Sequence, residues 1–162
     1  MDSSMFSKKG SSDPYCKVMC RELSGKVTQV SKTKTVSKNL NPEWGYEKTF
    51  LLTKEHSSIV TLTVWDHDKM SGDDPMGSVT LPLVNFMGHG TSAEPVIQEL
   101  AVEACEGCAN ATGTMTVSVA FVQNEVDPYE GTAFTGGVLV GVIKGAKDLM
   151  VMDQHVMSKA SR

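Results

Sequence analysis

Hydrophobic and polar residues alternate along most of the chain with the two-residue period of half-buried β-strands. The clearest cases are residues 60–64 and 115–121, where aliphatic or aromatic side chains alternate with Thr, Ser or Ala. No window shows the stripe of a long helix, and clusters of Gly, Pro, Asn, Asp and Ser separate the segments. The pattern therefore predicts an all-β fold, an eight-stranded antiparallel β-sandwich. The remaining predicted strands are 15–20, 27–36, 48–53, 76–83, 96–102 and 138–143.

The composition fits one ordinary domain and excludes several classes of protein. The chain has 162 residues, of which 40% are hydrophobic, and a net charge of −4. The negative charge argues against a general nucleic-acid binder, and no apolar run reaches the roughly 18 residues that a membrane span needs. The first ten residues lack the apolar core of a secretory signal, so we expect a cytoplasmic protein with reduced thiols.

The four cysteines form two close pairs. Cys105 and Cys108 have the C-x-x-C spacing of half a zinc site or of a redox pair. A zinc site would need a second pair, and Cys16 and Cys20 lie four residues apart on one face of a predicted strand. Small buried or surface residues are the simpler interpretation of both pairs.

Acidic residues crowd the loop that follows the strand at 60–64. Four carboxylates (Asp66, Asp68, Asp73 and Asp74) fall within nine residues, and Asp13 opens another strand. Carboxylates this close repel one another by about 1–3 kcal/mol per pair. Ca²⁺ is the ion best suited to compensate them, because it accepts hard oxygen ligands in irregular geometry. A solvated acidic turn is the alternative, whereas an EF-hand is excluded because its required Gly and Glu are missing.

Four blocks of sequence follow one another along the chain: 12–18 (SDPYCKV), 32–35 (KTKT), 39–44 (NLNPEW) and 64–68 (VWDHD) with Asp74 and Met76-Gly77. In this order they resemble the C2 domain, the membrane-targeting module of protein kinase C and the synaptotagmins. The resemblance covers nearly the whole chain and thins over residues 88–113.

The resemblance implies a sandwich whose loops at one end bind Ca²⁺, with anionic phospholipid as the second ligand of the metal. Asp73 is the alternative to Asp74 if the alignment slips by one residue, and the fifth position matches Asp2 and Asp153 equally well. A ten-residue insertion separates Asp2 from Asp13. The implied calcium ligands are Asp13, Asp66, Asp68 and Asp74, with Asp2 or Asp153.

Two further groups of residues are candidates for contact with lipid. Met5, Phe6 and Met70 are the apolar residues placed to enter the membrane interface, unless the first loop packs on itself. Lys32 and Lys34 share a strand face that similar domains use for phosphoinositides, although a solvated strand face would look the same. The other members expected in this basic patch are Lys17, Lys26 and Lys48, with Tyr15 and Trp65.

An internal repeat bears on the domain organisation. Met1-Asp2 followed by Ser7-Lys8 matches Met152-Asp153 followed by Ser158-Lys159, so the chain resembles a piece of a tandem array. We expect a C2 domain lacking its opening strand at 1–123, a linker at 124–136, and the opening of a further C2 unit at 137–162. Since the first and last strands of the family are neighbours, 114–122 can pair with 138–147 and close a circularly permuted sandwich. Otherwise the last segment dangles or exchanges with a second molecule.

The sequence therefore predicts calcium-dependent binding to anionic membranes containing phosphatidylserine or phosphoinositide. We expect a cytoplasmic, peripheral membrane module within a tandem-C2 tether or trafficking protein, with a second C2 unit as partner and no nucleic acid. The chain lacks a nucleophile elbow, an H-E-x-x-H motif and a P-loop, so we expect no enzyme here. The alternatives are the targeting module of a phospholipase or kinase and a calcium-independent protein-interaction C2 domain.

Overall fold

The structure is a computed structural model that describes residues 11–52, 58–86, 89–91, 93–123 and 137–152. Eight strands occupy most of these residues, and a short 3-10 helix, Leu83–Phe86, follows the fifth. The strands are β1 (Pro14–Arg21), β2 (Val27–Lys32), β3 (Glu43–Leu52), β4 (Ile59–Asp66), β5 (Asp74–Pro82), β6 (Val96–Ala101), β7 (Thr114–Gln123) and β8 (Gly137–Lys147).

The strands form two antiparallel four-stranded sheets, in the orders β2-β1-β4-β5 and β3-β8-β7-β6. The eight-stranded sandwich predicted from the alternation is confirmed. Within the described residues, no helix is long and apolar enough to cross a bilayer.

Alternation of side chains decides which face of each strand is buried. Along β4, Val60, Leu62 and Val64 are buried while the threonines between them are partly exposed. On β1, Cys16 and Cys20 share the inner face, as their spacing predicts. Burial raises the pKa of the Cys16 thiol well above its ordinary value, so this cysteine is a neutral core residue.

The strand at 27–36 ends four residues earlier than predicted, at Lys32. Thr33 is buried, and its hydroxyl accepts a hydrogen bond from the Cys16 N–H at 2.9 Å. The Thr33 hydroxyl therefore accepts the hydrogen bond that a backbone carbonyl would accept in a regular strand pair, and β2 ends before Thr33. β3 begins earlier than predicted, at Glu43, where an irregularity between Glu43 and Tyr46 interrupts the alternation.

β8 lies in the middle of its sheet, between β3 and β7. It pairs with β7 from Thr114↔Lys147 to Gln123↔Gly137, which is the antiparallel pairing expected of these two segments. Its inner face buries Leu139 and Ile143 in the core. The assignment of 137–162 to a further C2 unit stays a prediction.

The segment after β8 is held against the start of β1. The Asp148 N–H donates to Asn41 Oδ1 at 2.9 Å. The Ser12 hydroxyl donates to the Met150 carbonyl at 3.1 Å and accepts from the Met152 N–H at 2.9 Å. The segment after β8 therefore contacts Ser12, the residue that precedes Asp13.

Candidate functional site

Three acidic residues meet at one end of the β2-β1-β4-β5 sheet. Asp66, the last residue of β4, pairs with Pro14 of β1 on one side and with Asp74 of β5 on the other. Asp13 directly precedes Pro14. The antiparallel register therefore places Asp13, Asp66 and Asp74 at the same end of the sheet.

The Asp66 carboxylate links the loop that precedes β1 to the loop that follows β4. Its side chain is only 2% exposed, and its Oδ1 accepts a hydrogen bond from the Asp13 N–H at 2.6 Å. In return, the His67 N–H donates to the Asp13 carbonyl at 2.9 Å. A buried carboxylate needs such charge-assisted bonds to offset its lost hydration, so Asp66 fixes the spacing of the loops on which the other carboxylates lie.

The Asp13 side chain faces a third segment of the chain. Its Oδ1 accepts from the Lys38 N–H at 2.7 Å and from the Ser37 hydroxyl at 3.0 Å. Lys38 has a positive φ of 50°, a turn conformation that this capping bond helps to hold. Both bonds go to the same carboxylate oxygen.

Asp68 lies beyond the end of β4, in the loop 67–73. Because β4 ends at Asp66, Asp66 and Asp68 do not lie on one strand. Asp68 instead caps the loop: its oxygens accept from the Ser71 hydroxyl at 2.6 Å and from the Met70 N–H at 2.8 Å. These bonds, with that from Ser71 the stronger, lower the pKa of Asp68 and keep it ionised.

Asp73 and Asp74 have different environments. Asp73 Oδ2 accepts from the Tyr15 hydroxyl at 2.6 Å, and its Oδ1 accepts from the Asp68 N–H at 3.0 Å and lies 3.1 Å from His67 Nδ1. These bonds, first that from Tyr15, lower the pKa of Asp73. Burial, reinforced by Asp73, raises the pKa of Tyr15 to about 12. Asp74, by contrast, is exposed at the start of β5.

The donor chemistry of this edge suits a calcium ion, although no finished metal site is formed by the described side chains. Carboxylate oxygens on adjoining loops are the hard ligands that Ca²⁺ prefers. Within the described ranges, no three His, Cys, Asp or Glu residues are grouped as a metal site. Asp2 and Asp153, the candidates for the fifth ligand, lie outside the described residues, as do Met5 and Phe6.

A basic and aromatic surface covers the outer face of the same sheet. Tyr15 pairs with Trp65, and Lys17 pairs with Lys32, in neighbouring rows of the ladder. The Lys17 Nζ lies 5.0 Å from the centroid of the Trp65 ring, and the Lys32 Nζ lies 5.5 Å from that of Tyr15. Cation–π contact at these distances holds the ammonium groups over the rings. We call Tyr15, Lys17, Lys32 and Trp65 the basic aromatic face.

The expected basic patch is partly corrected by the structure. Lys32 and Lys34 are both exposed on either side of buried Thr33, although only Lys32 belongs to β2. Lys26 lies in the turn between β1 and β2, at the far end of these strands from Asp13. Lys48 lies on β3 in the other sheet and lines a core cavity. Both lysines are therefore excluded from the patch.

The comparisons with known proteins agree with this fold. The family model of the C2 domain matches residues 2–96, more than half of the chain. The chain belongs to the C2 domain family. Tricalbin-1 of Saccharomyces cerevisiae is 30% identical over 112 residues, 69% of this chain and 9% of that protein. Synaptotagmin-2 of Arabidopsis thaliana is 30% identical over 159 residues, 86% of this chain and 28% of that protein.

A solved structure of a C2 domain of plant Extended Synaptotagmin 1 is 20% identical and has a TM-score of 0.47, covering 88% of this C2 chain and 83% of that one. This C2 chain spans less than a third of the length of the two curated relatives named above.

Two features of this C2 domain were not found from the sequence. Ser12 connects β1 with residues 150 and 152, and Tyr15 connects β1 with Asp73. The S-D-P-Y block contains both residues. The partners of Ser12 are 138 and 140 positions away, and the partner of Tyr15 is 58 positions away. Only the paired strands bring them together.

Proposed function

We propose that the chain is a non-enzymatic C2 module that binds anionic phospholipid membranes in a calcium-dependent manner. The observation that carries the proposal is the register of β1, β4 and β5, which places Asp66 between Pro14 and Asp74 and bonds it to Asp13. The three carboxylates lie on two adjoining loops at one end of the sheet, and like charges brought to one end of a sheet repel one another. A divalent cation is the compensation that such oxygen ligands favour.

The calcium ligands in this proposal are Asp13, Asp66, Asp68 and Asp74. Asp153 is the best candidate for the fifth, since it directly follows Met152, whose N–H is bonded to Ser12. When bound, Ca²⁺ supplies positive charge and open coordination positions for phosphate or carboxylate oxygens of lipid. The protein supplies the fixed distance between the loops, through the bond between Asp66 and the Asp13 N–H.

Met70 and the basic aromatic face are the proposed membrane contacts. Met70 is 94% exposed at the tip of the loop 67–73, and burial of its side chain in the membrane interface would contribute about 1.5–3 kcal/mol. Lys17 and Lys32 would add about 1 kcal/mol each near an anionic leaflet. Met5, Phe6 and Lys34 extend these two surfaces in the proposal. Phosphatidylserine suits the calcium loops, and a phosphoinositide suits the basic aromatic face.

The cellular role is proposed from the internal repeat and the relatives. The recurrence of Met1-Asp2 and Ser7-Lys8 at Met152-Asp153 and Ser158-Lys159 supports a further C2 unit beside this one. Tricalbin-1 and Synaptotagmin-2 are much longer than this chain, which is consistent with a module inside a larger membrane tether or trafficking protein. The module would then be cytoplasmic and would reach the membrane as a peripheral protein when Ca²⁺ rises.

A calcium-independent C2 interaction module is the second candidate. Its support is that Asp13, Asp66 and Asp68 already accept hydrogen bonds from N–H or hydroxyl groups of the protein. These bonds stabilise the loops without a metal ion. The two candidates differ in whether Ca²⁺ changes membrane binding.

Sedimentation with phosphatidylserine vesicles distinguishes the candidates. The chain should pellet in Ca²⁺ and stay in the supernatant in chelator, and Asp68→Asn with Asp74→Asn should require at least tenfold more Ca²⁺. Glu47→Gln, which removes a negative charge from the other sheet, is the matched control and should behave as the wild type. Equal pelleting in Ca²⁺ and in chelator would establish the second candidate instead.

The basic aromatic face is tested by adding phosphoinositide to the vesicles. Lys17→Ala with Lys32→Ala should abolish the gain in binding that phosphoinositide gives to the wild type. Lys144→Ala with Lys147→Ala, on β8 of the other sheet, removes the same charge and should retain the gain. If both double variants lose it equally, general electrostatic attraction explains the binding and the basic aromatic face is not a site.

A further inference from the structure

Three sulfur-bearing residues lie beside the proposed calcium loops and take no part in them. Cys105 and Cys108 face each other across a two-residue turn, where each backbone N–H donates to the other carbonyl at 2.9 Å. Both are free thiols. Cys108 is 7% exposed, and its Sγ lies 3.7 Å from the Sδ of Met150. Because residues opposite each other in an antiparallel pair point to the same side, both thiols face the same way.

The spacing of two of the sulfur atoms fits a bridging ion. In a hydrogen-bonded pair such as Cys105 and Cys108, the Cα atoms lie about 5.5 Å apart, a separation that a disulfide also spans, and both thiols are free. A metal ion with bonds of about 2.3 Å to sulfur holds its sulfur ligands roughly 3.8–4.0 Å apart. The 3.7 Å between Cys108 and Met150 is close to that separation.

We propose that Cys105, Cys108 and Met150 form a binding site for a soft monovalent metal ion, Cu(I). Two thiolates and one thioether are the ligands that select Cu(I), whereas Ca²⁺ and Mg²⁺ require oxygen ligands. The site is therefore chemically separate from the carboxylate edge, and it does not depend on the function proposed above.

The surroundings of the turn meet the other requirements of a metal site. Gly107 has a φ of +82°, and a Cβ there would lie 2.9 Å from Pro75 Cγ, so the turn is packed against the start of β5. A shallow depression lined by the turn opens to solvent and gives an ion a path of entry. Loading of the two thiols releases protons, so binding should tighten as the pH rises.

Loading would also join two parts of the fold. Met150 belongs to the segment that follows β8, and its carbonyl accepts a hydrogen bond from Ser12. An ion shared by Cys105, Cys108 and Met150 therefore fastens that segment to the turn at 105–108. Because the ion binds the folded chain in this arrangement, it should raise the melting temperature.

The test is an anaerobic titration of the full chain with Cu(I) against a chromophoric Cu(I) chelator. We expect one tight equivalent per chain, at least a hundredfold loss of affinity in Cys105→Ser or Cys108→Ser, and about a tenfold loss in Met150→Leu. Met152→Leu and Cys20→Ala are the matched controls and should retain the wild-type affinity. X-ray absorption should show three Cu–S bonds of about 2.3 Å in the wild type and two in Met150→Leu.

Circular dichroism verifies that each variant is folded, and Met150→Leu, which preserves the side-chain volume, keeps the test valid if a cysteine variant unfolds. The proposal is overturned if Met150→Leu changes neither the affinity nor the number of Cu–S bonds. It is also overturned if the wild type binds Cu(I) no more tightly than Cys105→Ser.

Discussion

Replacement of Leu139 by alanine tests whether β8 is an integral part of the sandwich. Leu139 is fully buried and lies opposite Phe50 of β3 and Phe121 of β7. It also lines a core cavity of about 30 Å³ between the two sheets. A strand that is attached only loosely would tolerate the change, whereas a central strand would not.

The expected loss of stability follows from the atoms removed. Leucine has three more carbon atoms than alanine, and each buried methylene contributes about 0.8 kcal/mol. The new void adds a cavity cost, so buried Leu→Ala changes range over about 2.7–5.0 kcal/mol. Because a cavity already lies beside Leu139, truncation of its side chain removes fewer van der Waals contacts than at a fully packed position. We therefore expect a decrease of about 3 kcal/mol in the free energy of unfolding.

Urea unfolding followed by tryptophan fluorescence measures this loss in both sheets, because Trp44 lies on β3 and Trp65 on β4. Leu139→Ala should lower the midpoint of a single transition. Val140→Ala is the matched control: it lies on the outer, partly exposed face of the same strand and should cost less than about 1 kcal/mol. A Leu139→Ala chain within about 0.5 kcal/mol of wild type, or one with two transitions, would refute the reasoning.

Two further substitutions probe the site and the fold. Tyr15→Phe removes the bond to Asp73 and should cost about 1–2 kcal/mol at neutral pH. The pKa of Asp73 is lowered and that of Tyr15 is raised to about 12. The difference in unfolding free energy between wild type and Tyr15→Phe should therefore shrink below about pH 4 and above about pH 10. A difference that does not vary with pH in urea unfolding would contradict the assignment. Gly145→Ala would drive a Cβ into the Pro42 carbonyl oxygen, whereas Gly141→Ala meets only ordinary contacts. Calorimetry should find the first variant destabilised by about 1–3 kcal/mol and the second near wild type, and equal melting temperatures would show that Gly145 is not required.

The alternation of side chains is enough to predict most of this fold. Each of the eight predicted strands exists, because burial on one face imposes a two-residue period that the sequence shows directly. The ends of the strands are harder to predict from the sequence. Thr33 is polar and continues the alternation, yet its hydroxyl replaces a backbone acceptor and ends β2. At Glu43–Tyr46 the register shifts, and a local irregularity of this kind has no periodic signal.

The candidate site, like the fold, could be predicted where it depends on local sequence and not where it depends on strand ends and sheet assignment. The S-D-P-Y and W-D-H-D blocks predicted that Asp13 and Asp66 lie near each other, because both positions are tied to strand ends. The hydrogen bonds of Asp68 within the loop 67–73 could not be predicted, since spacing alone does not show that β4 ends at Asp66. Membership of the basic patch also depended on sheet assignment: the sequence could not show that Lys48 lies in the other sheet.

The order in which the chain is synthesised makes the central position of β8 significant. β8 is the last of the eight strands to leave the ribosome, yet β3 and β7 both require it as their neighbour. Until it emerges, a nascent chain exposes two unpaired strand edges, which are templates for aggregation. In the arrangement described, β8 completes the β3-β8-β7-β6 sheet by pairing with β3 across about ninety residues of chain, and pairing over so long a separation slows folding relative to the early hairpins.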